Sequence, residues 1–112
     1  MQLGMTMLFD LNQQAAELPE AWRSAVLGRV GAANIKVLRM DARSIADEVH
    51  DYSEGLLVIS GRLRLQVAGE EVVVRAGQLY QAAAGVPHRV LPGSEGTLVI
   101  VDLPEDQAPS LG

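Results

Sequence analysis

Two histidines and two glutamates have the side-chain types and spacing to form a chemical site in this 112-residue chain. His50 and His88 are its only histidines, and Glu54 follows His50 by four residues. Glu48, His50 and Glu54 are all at even-numbered positions. Because side chains alternate between the two faces of a strand, an extended segment presents all three on one face. His88 must then arrive from another strand. Two imidazoles and a carboxylate suit Fe(II), Mn(II), Ni(II), Zn(II) or Cu(II), so the pattern indicates a divalent metal site.

Short strands separated by glycine turns have to position these residues. Apolar content is 48% and aromatic content only 4%, so the core must consist of Val, Leu, Ile and Ala, which favours sheets. Strands are predicted at 25–30, 35–40, 56–59, 63–67, 71–74, 78–82 and 97–101. Residues 56–59 are all apolar, whereas after Gly61 apolar and polar residues alternate strictly. This change of pattern indicates a bend or bulge at Gly61. The sequence predicts an all-β sandwich or barrel, and periodicity alone does not choose between them.

One helical segment precedes the strands. Apolar residues recur at spacings of three and four from Ala15 onward, Asn12 is placed to cap, and Pro19 interrupts the pattern. These signals predict a short helix near 13–18, with Trp22 packed on the core.

Composition excludes several classes of protein. Without cysteine there are no disulfides or thiolate metal sites, which agrees with a reducing cytoplasm. The N-terminal residues lack the pattern of a signal peptide, and no apolar run reaches membrane-spanning length. A net charge of -5 argues against nucleic acid as a partner. We therefore expect a cytoplasmic protein with no membrane association, whose partner is a small molecule.

The segment from 42 to 92 resembles the two motifs of the cupin superfamily, Gly-x5-His-x-His-x3,4-Glu-x6-Gly and Gly-x5-Pro-x-Gly-x2-His-x3-Asn. Six of the ten motif positions match, namely His50, Glu54, Gly61, Gly77, Gly85 and His88. The other four depart from the motifs, with Ala42, Ala83 and Pro92 in place of glycine, proline and asparagine, and Glu48 in place of the first histidine.

The resemblance implies a small jelly-roll β-barrel with a short N-terminal helical segment. We expect three parts: an N-terminal arm with the helix at 1–24, the barrel at 25–103 and a flexible C-terminal tail at 104–112.

The resemblance also implies that His50, Glu54 and His88 are metal ligands. Glu48 either adds a second carboxylate, which shifts preference toward manganese or iron, or is not a ligand and leaves a weaker site or none. Mn, Fe, Ni or Zn are the expected metals, and no nucleotide or organic cofactor is indicated. Tyr80 and Gln81 occupy a strand where cupins often place substrate-facing side chains, so they are substrate-pocket candidates.

Two functions remain open from the sequence. The first is a small cupin that binds a divalent metal and a small molecule in the barrel, with or without catalysis. The alternative is a metal-free cupin that acts as a non-catalytic ligand- or partner-binding module. A homodimer is also expected, because Leu57 and Ile59 extend an apolar run onto the second face of a strand, where a partner subunit could cover them.

Overall fold

The computed structural model describes residues 7–42 and 49–104, and for His50 it describes the backbone alone. One short helix precedes eight strands in these residues. The elements in chain order are α1 (Leu11–Glu17), β1 (Ala25–Val30), β2 (Ala33–Met40), β3 (Val49–His50), β4 (Glu54–Val67), β5 (Glu70–Arg75), β6 (Leu79–Ala82), β7 (His88–Val90) and β8 (Glu95–Asp102). The prediction of a mostly β domain with one N-terminal helix is confirmed.

The described strands pair antiparallel and form a small jelly-roll barrel. Their order is β1-β2-β8-β4-β7-β3, while β5 and β6 also pair with β4. The N-terminal half of β4 pairs with β6 and β8, and its C-terminal half pairs with β5 and β7. β4 is therefore the strand that links both sides of the barrel.

β4 changes direction near Gly61, as the sequence predicts. Its pairing with β8 shifts register between Val58 and Ser60, and Gly61 has a φ of +77°. A side chain at this position would overlap the carbonyl oxygen of Glu95. Glycine is required here both by the left-handed backbone and by the close approach of β8.

The bend also moves the inward-facing side chains from even to odd positions. Leu56 and Val58 are buried in the core before it, and Leu63 and Leu65 are buried in the same core after it. A regular strand would turn one of these two pairs toward solvent. The bend thus keeps a fourteen-residue strand packed on one interior along its length.

The outer face of β4 is covered by α1. Leu57 and Ile59 pack with Ala15 of the helix against Val37 and Val99. Leu57 and Ile59 are only partly buried by this contact, so additional cover by a partner subunit stays a prediction. The homodimer itself stays a prediction.

The helix differs from the prediction at its start. It begins at Leu11, and the Asp10 side chain accepts a hydrogen bond from the Gln13 backbone N–H at 3.0 Å. Asp10 is therefore the cap instead of Asn12. The helix ends at Glu17 ahead of Pro19, as predicted. In the described part of the chain, no helix is long and apolar enough to cross a membrane.

Trp22 packs against the core, in agreement with its predicted role. It has a φ of +66°, and its indole N–H donates to the carbonyl oxygen of Asp41 at 3.1 Å. The backbone N–H of Trp22 donates to Arg39 of β2 at 2.8 Å. These contacts hold the segment between α1 and β1 beside the C-terminal end of β2.

Candidate functional site in the barrel interior

The barrel contains a cavity of about 210 Å³. Most of its wall is aliphatic, from Leu38, Leu56, Leu63, Leu65, Leu98 and Ile100. Acidic and basic side chains also line it, namely Lys36, Glu54, His88 and Asp102, together with the hydroxyl-bearing Ser24 and Tyr52. An apolar cavity with a few polar groups is typical of a small-molecule binding site.

The ionisable side chains gather toward one end of the cavity. Leu56 of β4 lies opposite Ile100 of β8, so two residues further along each strand, Glu54 and Asp102 occupy the same face at the same end. Lys36 lies opposite Ile100 on the other side of β8. The strand register therefore brings these charges together.

Glu54 and His88 meet directly inside the barrel. Glu54 begins β4 and His88 begins β7, and His88 Nε2 lies 2.9 Å from Glu54 Oε2. The two side chains are only 6% and 3% exposed. The turn that precedes His88 is tied to the strand region before β4, because the Gly85 N–H donates to the carbonyl oxygen of Asp51.

The contacts of both ring nitrogens of His88 restrict what lies between this residue and Glu54. His88 Nδ1 lies 3.4 Å from the carbonyl oxygen of Val86, which can only accept, so this contact favours the tautomer with hydrogen on Nδ1. Nε2 then faces a carboxylate oxygen. In this tautomer Nε2 has a lone pair and no hydrogen, and two lone pairs facing each other repel. A further proton or a metal ion must then lie between Nε2 and the Glu54 oxygen. The hydrogen bond to Glu54 raises the pKa of His88, and burial opposes this shift.

His50 is aligned with His88 in the sheet. In the β3–β7 pair, His50 and His88 are directly opposite each other. The two backbone positions are thus adjacent in the sheet, and the shared ligand role of these histidines stays a prediction. Glu48, the remaining candidate ligand, lies outside the described residues.

A second buried ion pair lines the cavity. Lys36 Nζ lies 2.7 Å from Asp102 Oδ2, with side chains 22% and 6% exposed. Asp102 Oδ1 is also buried and has no hydrogen-bond partner among the described residues. Unsatisfied buried oxygens are uncommon in folded proteins, so this carboxylate is a candidate contact for a bound molecule.

Tyr80 and Gln81 are placed on opposite faces of β6, because they lie opposite Leu56 and Gly55. Tyr80 packs against the core. Gln81 is exposed and donates to Ser53 Oγ at 3.3 Å and to the Glu54 carbonyl oxygen at 3.4 Å. Neither residue is among those that line the cavity. Their predicted contact with a substrate is untested.

Sequence reasoning missed Lys36 and Asp102. Lys36 shares parity with Leu38 and Met40, and Asp102 shares parity with Leu98 and Ile100. This parity was the available signal. This spacing does not identify the inner face of either strand, because β2 and β8 carry apolar residues on both faces.

Comparisons with known proteins agree with this architecture. The family profile described as "Cupin domain" matches residues 37–104. A comparison with curated proteins finds no match for the sequence. A cupin-2 domain containing protein from Shewanella frigidimarina is 16% identical with a TM-score of 0.78, covering 91% of this chain and 99% of that one.

Two dioxygenase structures also share the fold. Hydroquinone 1,2-dioxygenase from Sphingomonas sp. TTNP3, solved with 4-hydroxybenzoate bound, is 18% identical with a TM-score of 0.75 and covers 88% of this chain and 32% of that one. Hydroquinone 1,2-dioxygenase PnpCD in complex with Fe3+ is 16% identical with a TM-score of 0.71 and covers 83% and 31%. At such identities the likeness concerns the fold alone. The family match, however, spans more than half of the sequence, and this chain therefore belongs to the cupin domain family.

Proposed function

We propose that this cupin domain binds a divalent metal ion and a small molecule inside its barrel. The observation that carries the proposal is the buried contact of 2.9 Å between Glu54 Oε2 and His88 Nε2 in the cavity wall. It brings a carboxylate oxygen and an imidazole nitrogen from two strands to one point.

The spacing of these two atoms fits a shared metal. Two donors held about 2.1 Å from one ion in adjacent octahedral positions lie roughly 3.0 Å apart. His88 Nδ1 already faces the Val86 carbonyl oxygen, which is the outer hydrogen bond that orients a metal-binding imidazole through its other nitrogen. Glu54 and His88 therefore fit two neighbouring positions of a metal shell.

His50 and Glu48 are the proposed further ligands. His50 is directly opposite His88 in the backbone pairing, and Glu48 precedes His50 by two residues in the sequence. Among the described side chains, no group of three or more His, Cys, Asp or Glu is arranged to hold a metal. The proposal therefore depends on His50, with Glu48 as a fourth ligand that makes the site more anionic.

The metal would supply a Lewis acid or an oxygen-activating centre. Mn, Fe, Ni and Zn suit the donor set, and one dioxygenase with this fold was solved with Fe3+. The aliphatic wall would hold the apolar part of the small molecule and exclude water. Fold does not select the reaction, so catalysis is not assigned.

A metal-free binding module is the second candidate. It is favoured by Glu48, which stands where the family motif has its first histidine, and by the ability of one proton to satisfy the Glu54–His88 contact. For either function we propose a cytoplasmic location, since the chain has no cysteine.

Metal analysis separates the two candidates. Protein purified without an affinity tag should contain about one equivalent of Mn, Fe, Ni or Zn, or should take it up after chelator treatment. His50→Ala and His88→Ala should both lose the metal, whereas Arg89→Ala, at an exposed position beside His88, should keep it. Wild-type metal content in both histidine variants would eliminate the proposed ligands, and a wild-type protein that takes up no metal would favour the binding module.

A further inference from the structure

The Lys36–Asp102 ion pair has hydrogen-bonding capacity that the described residues do not use. The ammonium of Lys36 carries three N–H donors, and the single partner at 2.7 Å is Asp102 Oδ2. Within residues 7–42 and 49–104, Asp102 Oδ1 is buried without a donor, and so is Asn34 Oδ1 on the residue directly opposite Asp102. This end of the barrel therefore combines unused donors with unpaired acceptors.

The charges in the cavity favour a neutral molecule. Lys36 and Asp102 cancel each other, and a cationic ligand at this end of the barrel would meet the Lys36 ammonium. An anionic ligand would meet two carboxylates at the same end of the barrel, which disfavours its transfer from water. A neutral hydroxyl both accepts and donates hydrogen bonds, so it can bind the Lys36 ammonium and the Asp102 carboxylate at once.

The volume limits the size of such a molecule. A cavity of about 210 Å³ corresponds to roughly seven waters at their volume in the liquid. Most of the remaining wall is aliphatic, including Leu38, Leu98 and Ile100, and the hydroxyl-bearing Ser24 and Tyr52 also line the cavity. The cavity therefore suits a compact, mainly apolar body with a hydroxyl at the Lys36–Asp102 end.

We propose that Lys36 and Asp102 recognise the hydroxyl group of a small, neutral alcohol or phenol whose apolar body fills the barrel. This inference rests on the proposed function only in placing the ligand inside the barrel, and it requires no metal. Its test uses chelator-treated protein, so failure to bind metal and failure to bind the hydroxyl are observed separately.

The test compares four probes by NMR titration of the full chain: phenol, anisole, toluene and benzoate. Phenol and toluene have the same number of non-hydrogen atoms, and only phenol has a hydroxyl. An apolar cavity alone would prefer toluene, because it is the more hydrophobic. We expect phenol to bind at least about tenfold tighter than toluene, because toluene would cover the Lys36 ammonium and the Asp102 carboxylate without forming a hydrogen bond to either. Anisole, which cannot donate, should lie between them.

The double variant Lys36→Met/Asp102→Leu assigns the preference to the ion pair. Replacing a buried pair by apolar residues of similar volume is often neutral for stability, and the melting temperature checks folding. Toluene should then bind as tightly as phenol or tighter. The matched control is Arg62→Met/Glu95→Leu, which removes a half-exposed pair and should leave the preference for phenol unchanged.

Three results would overturn the inference. The first is equal binding of phenol and toluene to the wild type, as expected if water alone satisfies Asp102. The second is tighter binding of benzoate than of phenol, which would indicate an anion site. The third is no shift of the Leu38 and Ile100 methyl signals with millimolar phenol. If the double variant does not fold, the wild-type comparison of phenol, anisole and toluene still decides.

Discussion

His88 Nε2 and Glu54 Oε2 lie 2.9 Å apart inside the barrel, although 34 residues separate them in the chain. Both side chains are buried. A proton or a metal ion between the two atoms would link protonation, metal binding and stability at one point.

The stability of the metal-free protein should decrease as the pH rises above neutrality. The hydrogen bond to Glu54 raises the pKa of His88 above its ordinary value of 6.5. The resulting stabilisation is fully present below about 6.5 and is lost as the pH passes through the folded-state pKa. Urea unfolding with a chelator should show a decrease of at most about 1.4 kcal/mol per pH unit, the limit for one proton. His88→Gln should flatten this dependence, and an unchanged slope would refute the assignment.

Glu48→Ala should weaken metal binding by at least roughly tenfold, or about 1.4 kcal/mol, if Glu48 is the fourth ligand. Loss of one anionic donor lowers the attraction for a divalent ion. Equilibrium titration of chelator-treated protein with Mn(II) or Zn(II) measures the affinity. Glu20→Ala is the control, because it removes an exposed carboxylate that pairs with Arg23 between α1 and β1. An affinity equal to that of the wild type would remove Glu48 from the metal shell.

Gly61→Ala should destabilise the fold much more than Gly69→Ala. Both glycines have positive φ, +77° and +85°, so each substitution costs about 1–2 kcal/mol for the left-handed backbone. An added methyl group at 69 meets no atom within 4 Å, whereas at 61 it overlaps the Glu95 carbonyl oxygen. We expect at least about 2 kcal/mol more destabilisation at 61, measured by urea unfolding. Equal effects would contradict the close approach of β4 and β8.

Arg39→Ala should loosen the contact between α1 and β2. Arg39 Nη1 donates to the carbonyl oxygens of Ala15 at 2.8 Å and Leu18 at 3.0 Å, near the C-terminal end of the helix. Loss of these charged hydrogen bonds should cost about 1.5–3 kcal/mol in urea unfolding followed by Trp22 fluorescence. Arg29→Ala, at an exposed position on β1, is the matched control. A cost equal to that of Arg29→Ala would show that these hydrogen bonds add nothing.

The predicted homodimer can be checked by sedimentation at micromolar concentration. The helix α1 contributes Ala15 to the cluster on which Leu57 and Ile59 pack. Leu79 and Val101, which are 61% and 41% exposed, remain as apolar surface near this face. A dimer would agree with the prediction, and a clean monomer would contradict it.

The predicted strands agree closely with the structure where local signals were strong. β1 begins and ends at the predicted residues, and the bend at Gly61 is present. The two short strands β3 and β7 were missed because two or three residues give no measurable alternation. The sequence predicts Asn12 as the helix cap, whereas Asp10 is the cap in the structure. Both residue types cap well, and only the hydrogen bond from Gln13 distinguishes them.

The sequence by itself determined the β architecture, the family resemblance and the residues most able to bind a metal, since alternation, glycine turns and motif spacing are local properties. Only the tertiary structure decided that Glu54 touches His88, that α1 covers Leu57, and that Lys36 and Asp102 line the same cavity. The reason is that parity fixes the two faces of each strand, but not which face is inside. That choice is made by pairing between strands distant in sequence and by the bend at Gly61.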